Sequence, residues 1–382
     1  MIRRLTSVPA AVAATVMLLA SGAVHAAMLP APPSIGARAY ILMDATSGHV
    51  IASEAPETKV EPASLTKIMT VYVAASELAA DRLSLDETTR VSEKAWKTGG
   101  SRMFIQVDSE VSVGDLLKGI IVQSGNDASV ALAEHIAGTE AVFASMMNRH
   151  AQELGMTGSH FANATGLPNE QTFTTAADMA TLTRSLIARY PEIYRGFGQK
   201  SFTYNGISQP NRNRLLFRDE SVDGVKTGHT ESAGYCLVAS AERGDMRLIS
   251  VVVGTASDEA RTEASRALLE YGFRFFETRR VYRGGKAIAQ QKLWKGRSPT
   301  FGYGFADDVA LTFPRGHYED VEVAIELEEE YVAPIAAGAR VGEARFVLDE
   351  QTLTVRELVA TEAVPRAGLL RRVLDSVKML VF

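Results

Sequence analysis

Two periods of alternation between apolar and polar residues divide the chain into a helical region framed by strands and a later region of short strands. ARAYILMD (37–44) and HVIASE (49–54) predict a β-hairpin with the turn ATSG between them. Apolar residues then recur at helical spacing in LTKIMTVYVAASEL (65–78) and VGDLLKGIIVQ (113–123). Further helices are predicted from about Asp127 to Ala137 and in TTAADMATLTRSLIARY (174–190), with Thr174 or Thr175 as the N-cap of the latter.

Strands return at SAGYCLVASAE (232–242) and MRLISVVVG (246–254), joined by the turn RGD. A helix follows from about Asp258 to Phe276. Strands at both ends of a helical middle can pair into one antiparallel sheet with helices packed on it. The fold class predicted for residues 27–280 is therefore mixed α/β.

Beyond about Thr278 the pattern changes to short alternating strands. VEVAIELEE (321–329) alternates apolar residues with mostly glutamates, which is typical of a sheet with one solvated face. We predict a small all-β, sandwich-like domain over residues 281–365, and no catalytic constellation is visible in it. 

The last segment, GLLRRVLDSVKMLVF (368–382), has its apolar residues on one helical face and its charged residues on the other. Residues 366–382 therefore predict an amphipathic helix that is too short and too charged to span a bilayer. Such a helix can dock on its own domain or lie in a membrane surface. The apolar end MLVF, with cationic residues flanking the stripe, favours a membrane-surface anchor.

The N-terminus predicts export. Arg3 and Arg4 precede an apolar stretch that ends in small residues, which is the pattern of a secretory signal peptide over residues 1–26. A transmembrane anchor is the alternative, but the apolar run at residues 8–20 is only 13 residues long. Roughly 20 residues are needed to span a bilayer, so we expect an exported protein.

Composition and charge exclude some classes of partner. The chain has 382 residues and a net charge of −5; without residues 1–26 it has 356 residues, and 38 basic minus 45 acidic side chains gives −7. An acidic exported chain of this kind is a poor nucleic-acid binder, and its length predicts two domains.

Cys236, the single cysteine, lies in an apolar run, so we expect it to be a small buried apolar side chain. The seven histidines lack zinc-site spacing, so neither a metal nor a cofactor is expected.

A serine three residues before a lysine opens the first predicted helix. Positions three apart share a helix face, so Lys67 is expected beside the Ser64 hydroxyl. A serine hydroxyl is a weak nucleophile unless a base lies within hydrogen-bond reach. Lys67 could be that base only if burial or a nearby cation lowered its pKa. Taken alone, a Ser-x-x-Lys pair means little, because chance produces roughly one in a chain of this size.

Two further motifs raise the significance of that pair. Ser124 and Asn126 in SGN lie between two predicted helices, where a short polar turn can direct a hydroxyl and an amide into a cleft. KTG occurs twice, at residues 97–99 before a polar loop and at 226–228 at the start of a predicted strand paired with MRLISVVVG. We assign the second copy, because a strand edge lets Lys226 and Thr227 face the cleft while Gly228 admits a substrate backbone.

These three motifs in this order resemble those of the low-molecular-mass penicillin-binding proteins that are D-alanyl-D-alanine carboxypeptidases. The similarity is nearly full-length. It extends to the trailing β domain, the terminal amphipathic helix and five further segments, which are YILMDATSGHVI, PASLTKIMT, FANATGLPN, GVKTGHTESAGYCLVAS and EASRALLEYGFRFFE. The resemblance implies a β-lactamase/transpeptidase-like fold and removal of the terminal D-alanine from peptidoglycan pentapeptides. It also implies covalent inhibition by β-lactam antibiotics, and peripheral attachment to the periplasmic face of the bacterial cytoplasmic membrane.

The resemblance also implies roles for individual residues. Ser64 would be acylated and Lys67 would be the acylation base. Ser124 would relay protons, and Asn126 would position the substrate. Lys226 would add positive charge and help to lower the Lys67 pKa. The oxyanion hole would use the Ser64 N–H and an N–H near His229. Thr227, and Arg261 as a bidentate partner, would bind the substrate carboxylate.

Two alternatives share parts of this signature. A serine β-lactamase of class A uses a glutamate in a Glu-x-x-x-Asn loop for deacylation, and no such pentad lies between Asn126 and Lys226. That interpretation also leaves the β domain and terminal helix unexplained. A non-catalytic envelope protein that binds β-lactams is the other alternative, and the intact motifs argue against it without showing turnover.

Overall fold

The computed structural model describes residues 29–381, and it has two compact units. The first unit is Ala31–Arg274 and the second begins at Phe275. The predicted signal peptide, residues 1–26, lies outside the described residues. The boundary between the units falls slightly before the predicted one at 280/281, because a strand at Phe276–Tyr282 pairs with Val309–Pro314 in the second unit.

The elements of the first unit follow the predicted order of strands, helices and strands. Its strands are β1 (Ala39–Asp44), β2 (Val50–Glu54), β3 (Thr88–Arg90), β4 (Glu110–Ser112), β5 (Ser201–Tyr204), β6 (Ile207–Pro210), β7 (Val222–Thr230), β8 (Gly234–Arg243) and β9 (Met246–Thr255). Its helices are α1 (Thr66–Ala79), α2 (Glu93–Lys97), α3 (Val113–Gln123), α4 (Asn126–Ala137), α5 (Glu140–Glu153), α6 (Ala176–Arg189), α7 (Pro191–Tyr194), α8 (Leu215–Arg218) and α9 (Asp258–Phe275).

One antiparallel sheet organises this unit. Its strand order is β2-β1-β9-β8-β7, so the first strands of the unit pair with its last ones. Ile41 of β1 lies opposite Val251 of β9 in the register. This pairing confirms the predicted mixed α/β class, and it leaves β7 as an edge strand with one side open.

Helix α1 forms the centre of the core. Its side chains are buried along most of its length, and Tyr72 is one of the largest fully buried side chains. The helix is apolar almost all round, which is typical of a helix packed on several sides. Helix α6 begins at the predicted place, where the N-cap Thr175 accepts a hydrogen bond from Asp178 N–H.

The second unit is all-β with one terminal helix, as predicted. Its strands are β10 (Phe276–Tyr282), β11 (Ala287–Lys292), β12 (Thr300–Gly304), β13 (Val309–Pro314), β14 (Glu322–Leu327), β15 (Arg340–Leu348) and β16 (Gln351–Ala360), and its helix is α10 (Leu369–Val381). They form a two-stranded sheet, β10-β13, and a five-stranded sheet, β11-β12-β16-β15-β14. Among the described residues, no helix combines the length and the apolar character needed to cross a membrane.

Candidate active site

Ser64 lies in a short 3-10 turn, Ala63–Leu65, that leads directly into α1. The Leu65 N–H donates to the Pro62 carbonyl at 3.0 Å, so the proline before the motif also closes this turn. Ser64 is half-buried, whereas Lys67 on the first turn of α1 is completely buried. The expected proximity of these two side chains is present, because Lys67 Nζ lies 3.1 Å from Ser64 Oγ.

The Lys67 amine has two further partners. Its Nζ donates to Asn126 Oδ1 at 2.7 Å and to the Thr165 carbonyl at 2.5 Å. A neutral amine carries two N–H groups and one lone pair, and these two oxygens can accept both N–H groups. The lone pair is then left for Ser64 Oγ. This is the arrangement of a general base directed at a hydroxyl.

The electrostatic environment favours the neutral form of that amine. Burial is the largest cause and lowers the pKa of Lys67; the positive charge of Arg212 lowers it further, the Asp127 carboxylate raises it, and the resulting pKa is about 7. A large fraction of the amine is therefore neutral near pH 7, as a general base requires.

The SGN segment joins α3 to α4. Ser124 is the C-cap of α3 in the left-handed region, with a φ of 61°, and Asn126 begins α4. Asn126 Nδ2 donates to the Gly99 carbonyl at 2.7 Å, so the amide oxygen is the atom that faces Lys67. Within residues 29–381 the buried Ser124 Oγ has no hydrogen-bond partner. Its hydroxyl is thus available to exchange a proton with a reacting group.

Lys226, Thr227 and Gly228 lie in the edge strand β7. Lys226 was predicted at the start of the strand that pairs with residues 246–254, and this was wrong. β7 is a separate strand that pairs with β8, and β8 is the strand that pairs with β9. The predicted position at a strand edge is nevertheless what the structure has.

The second lysine of the site is as deeply buried as the first. Burial lowers the pKa of Lys226 well below its usual value, and the positive charges of Lys67, Arg212 and Arg261 add to this effect. Lys226 Nζ donates to the Thr227 carbonyl at 3.2 Å. Lys67 and Lys226 therefore share one electrostatic environment, in which a proton on one disfavours a proton on the other.

Gly228 allows a close approach between β7 and the turn that carries Ser64. A Cβ at this position would lie 3.0 Å from the Pro62 carbonyl oxygen and 3.3 Å from Ala63 Cβ. Gly228 therefore allows the protein's own turn at Pro62 and Ala63 to lie close to β7, as well as any substrate backbone. His229, the next residue, is exposed, and its ring centroid lies 4.0 Å from that of Tyr235.

Arg261 lies on α9 beside β7. Its Nη1 donates to the Gly228 carbonyl at 3.0 Å and to the Cys236 carbonyl at 3.3 Å, and its Nη2 is paired with the Asp258 carboxylate. The structure therefore places this guanidinium against the main chain of β7 and β8. Its role as a partner of the substrate carboxylate stays a prediction.

Sequence reasoning missed Arg212, the cation that lowers the Lys67 pKa. Arg212 is exposed between two buried asparagines. Asn211 Nδ2 donates to the Gln199 carbonyl at 3.0 Å, and Asn213 Nδ2 donates to the Gly224 carbonyl at 2.9 Å. The sequence Asn-Arg-Asn thus anchors the backbone on both sides of the arginine. A polar cluster of this kind before a strand is the signal that could have identified it.

Two main-chain acceptors of the site, the carbonyls of Thr165 and Gly99, were also not predicted from the sequence. Thr165 lies in the FANATGLPN loop, where Asn163 Oδ1 accepts N–H bonds from Thr165 at 3.1 Å and from Gly166 at 2.7 Å. Gly99 belongs to the KTG copy that was set aside. Its lysine and threonine are not among the contacts of the site, but its carbonyl accepts from Asn126.

Hydrogen bonds thus join Ser64, Lys67 and Asn126 directly, and charge interactions link Lys226 to them. In the described part of the chain, no group of three or more His, Cys, Asp or Glu side chains is placed to hold a metal ion. The chemistry that the arrangement supports is nucleophilic attack by Ser64 with Lys67 as the base.

Comparison with protein families gives two matches that together cover most of the chain. Residues 26–257 match the family model described as D-alanyl-D-alanine carboxypeptidase. Residues 276–366 match the model described as the C-terminal domain of penicillin-binding protein 5. The two matched segments agree with the two compact units of the structure.

Individual relatives cover nearly the whole chain. The D-alanyl-D-alanine carboxypeptidase DacC of Escherichia coli is 43% identical over 378 residues, 97% of this chain and 94% of that one. A crystal structure of penicillin binding protein 5 from Haemophilus influenzae has a TM-score of 0.85 and 38% identity, covering 88% of this chain and 100% of that chain. Penicillin-binding protein D2 from Listeria monocytogenes, in its ampicillin-bound form, has a TM-score of 0.58 and 30% identity, covering 63% of this chain and 98% of that chain.

Proposed function

Because this chain belongs to the D-alanyl-D-alanine carboxypeptidase family, we propose that it is a serine-type carboxypeptidase that removes the terminal D-alanine from peptidoglycan pentapeptides. The family and the carboxypeptidase function predicted from the sequence are confirmed. The observation that best supports the reaction is the Lys67 amine, with two oxygens accepting its N–H groups and its lone pair left for Ser64 Oγ.

In the acylation step, Ser64 Oγ attacks the carbonyl carbon of the penultimate D-alanine while its proton passes to Lys67 Nζ. The peptide C–N bond then breaks, and the leaving amine of the terminal D-alanine takes up a proton through the Ser124 hydroxyl. Water hydrolyses the resulting ester and regenerates Ser64. A β-lactam enters the same first step, in which its ring amide opens to an ester on Ser64.

The oxyanion that develops in this step needs donors in fixed positions. We assign them to the Ser64 N–H and to an N–H near His229 on β7. Gly228 supports this pairing, because it lets β7 lie against the Ser64 turn. Arg261 donates to the Gly228 and Cys236 carbonyls, so it stabilises the position of β7 against β8. Lys226 and Thr227 would attract the terminal carboxylate of the substrate.

The experiment that tests the function combines two substrates. The purified protein is incubated with a labelled penicillin, and separately with a D-Ala-D-Ala-terminated peptide whose released D-alanine is measured. An adduct together with released D-alanine supports the carboxypeptidase. An adduct without release would indicate a protein that binds β-lactams without turnover.

The two KTG copies provide a test of the carboxylate site. We expect Thr227→Val to remove one hydrogen bond to a charged group, worth about 1.5 to 3 kcal/mol. Turnover of the peptide, as kcat/KM, should fall by roughly 10- to 150-fold. Thr98→Val is the matched control, because Thr98 Oγ1 donates to the Lys94 carbonyl at the end of α2, at 2.8 Å. Equal small losses at both positions would remove Thr227 from the carboxylate site.

We also propose that the protein is exported and that α10 attaches it to the periplasmic face of the cytoplasmic membrane. The polar side of α10 lies on its own domain, where Asp375 Oδ2 accepts the Lys295 N–H at 2.7 Å. The apolar side is open, and each residue on it is more than half exposed: Leu369, Leu370, Val373, Leu374 and Val377. A 13-residue helix is about 20 Å long and suits a position in the surface plane.

Charge supports an anionic lipid surface as the partner of this face. Arg371, Arg372 and Lys378 lie on α10 together with a single acid, Asp375, although the whole chain is acidic. Basic residues beside an apolar helix face add attraction to anionic headgroups. Arg371 contacts its own domain, where it donates to the Arg297 carbonyl at 3.3 Å, so the half-buried Arg372 and the exposed Lys378 are the residues that add positive charge beside the proposed membrane contact.

Glutamates on the apolar face should release the protein from membranes. We expect Leu370→Glu combined with Leu374→Glu and Val377→Glu to lower binding to anionic vesicles by more than about 100-fold, because each large apolar side chain contributes about 1.5 to 3 kcal/mol on burial. Vesicle sedimentation measures the effect. Leu85→Glu is the control, because Leu85 is an exposed leucine of the first unit, and it should leave vesicle binding unchanged. Retention of the triple variant on vesicles would show that another surface anchors the chain.

A further inference from the structure

The buried carboxylate of Asp127, next to Asn126, has an unusual set of partners. Asp127 is completely buried in the first turn of α4. Three consecutive main-chain N–H groups of a neighbouring segment donate to it, from Met103 at 2.8 Å, Phe104 at 2.9 Å and Ile105 at 3.3 Å. A carboxylate bound by several N–H groups is strongly held, and it holds the segment that donates to it.

The other end of the same segment contacts Asn126. The Ser101 carbonyl accepts the Asn126 N–H at 2.7 Å, and the Gly99 carbonyl accepts Asn126 Nδ2 at 2.7 Å. We call residues 99–105 the brace. Asp127 therefore binds one end of the brace, and the other end binds the catalytic-site amide of the preceding residue.

The brace determines which way the Asn126 amide points. A carbonyl such as that of Gly99 can only accept, so the amide must present its NH₂ group to the brace and its oxygen to Lys67. With the amide reversed, its NH₂ group would compete with Ser64 for the lone pair of a neutral Lys67 amine. The base would then be blocked without any change in the catalytic residues themselves.

We propose that Asp127 is a positioning residue, which holds the brace against Asn126 so that the amide oxygen stays on Lys67 and the lone pair of the amine stays on Ser64. This inference rests on the proposed role of Lys67 as the acylation base. Asp127 acts through the brace and through Asn126 and is not itself in contact with the reacting atoms.

Asp127 also has an electrostatic effect that a purely structural anchor would lack. The charged groups that act on Lys67 are Arg212 and Asp127, with Lys226 as a second buried amine. Asp127 raises the Lys67 pKa, whereas burial and Arg212 lower it. Removing its negative charge should therefore move the pH midpoint of acylation to a lower value.

The test measures the rate at which a labelled penicillin acylates Asp127→Asn and the wild-type protein, both full-length, across a range of pH. We expect the plateau rate to fall at least about 10-fold, because the brace loosens, and the midpoint to move to lower pH. Asp178→Asn is the matched control: Asp178 is a buried carboxylate in the first turn of α6, where it accepts from Ser159 Oγ at 2.7 Å. It should leave both the plateau and the midpoint unchanged.

A second variant keeps the charge of Asp127 and changes the brace. Gly100 has a φ of 81°, and a Cβ there would lie 2.7 Å from Asn126 Nδ2, so Gly100→Ala should push the amide out of place. We expect its acylation rate to fall at least about 10-fold. Wild-type rates and midpoint in Asp127→Asn, or a wild-type rate in Gly100→Ala, would overturn the proposal. Because penicillin acylation is the readout, a wild-type protein that released no D-alanine would contradict the carboxypeptidase function and leave this test intact.

Discussion

Replacing Ser64 with alanine should abolish both the penicillin adduct and the release of D-alanine, a loss on the order of 10⁴- to 10⁶-fold. The hydroxyl of Ser64 is the one that faces the Lys67 amine, at 3.1 Å, and it is the proposed point of covalent attachment. The fold should remain intact, because the turn is closed by the main-chain bond from Leu65 to Pro62. Intact-protein mass spectrometry and a D-alanine assay measure the two losses.

Ser124→Ala is the informative companion variant. Its hydroxyl is also buried in the site, so the change removes a proton relay but leaves the nucleophile and base in place. Acylation should slow, and the adduct should still map to Ser64. A penicillin adduct on Ser124 in the Ser64→Ala protein would overturn the assignment of the nucleophile.

The fold was predictable where the hydrophobic period was strong. β1 is a continuous apolar run, α1 and α3 repeat apolar residues at helical spacing, and each lies where its pattern placed it. β7 was merged with the following strand, although Gly234, at the start of β8 and opposite Thr230, has a φ of 66° and ends the turn Glu231 to Ala233. The glycine was the local signal for a hairpin, and it was missed because it lies inside the apolar run that was assigned to one strand.

The candidate site also contains residues that could be predicted from the sequence and groups that could not. Ser64 and Lys67 could be predicted together because helical spacing alone brings them onto one face. Asn126 and Lys226 are distant in sequence from Ser64 and Lys67, so only the family resemblance predicted that they lie in the same site. The Thr165 and Gly99 carbonyls could not be predicted, because every residue carries a carbonyl and only the folded chain selects which one meets Asn126 or Lys67.

The first KTG copy shows the limit of motif reasoning. Lys97 and Thr98 end α2, where Lys97 is paired with Glu93 and the Thr98 hydroxyl donates to the Lys94 carbonyl. Gly99 nevertheless contributes its main chain to the site. A motif search compares side chains, whereas the contact here depends on where the backbone passes.

The pH dependence of acylation should be that of Lys67. Its pKa is about 7, and the neutral amine is the active form, so the acylation rate should rise as pH increases through that value. Two pH units below the pKa only about 1% of the amine is neutral, so we expect a roughly 100-fold rise between about pH 5 and about pH 9. The second-order rate constant for a labelled penicillin, which reports on the free enzyme, measures it.

Lys67→Arg identifies the group responsible for that rise. Arginine keeps the positive charge but cannot lose its proton in this pH range, so it cannot act as the base. Loss of a general base costs about 10²- to 10⁴-fold, so acylation at pH 7 should fall by that factor and the midpoint near 7 should disappear. If Lys67→Arg acylated within about tenfold of the wild-type rate, or kept the same midpoint, another group would be the base. Lys226 would then be the group to examine, because burial and the nearby positive charges also lower its pKa well below the usual value.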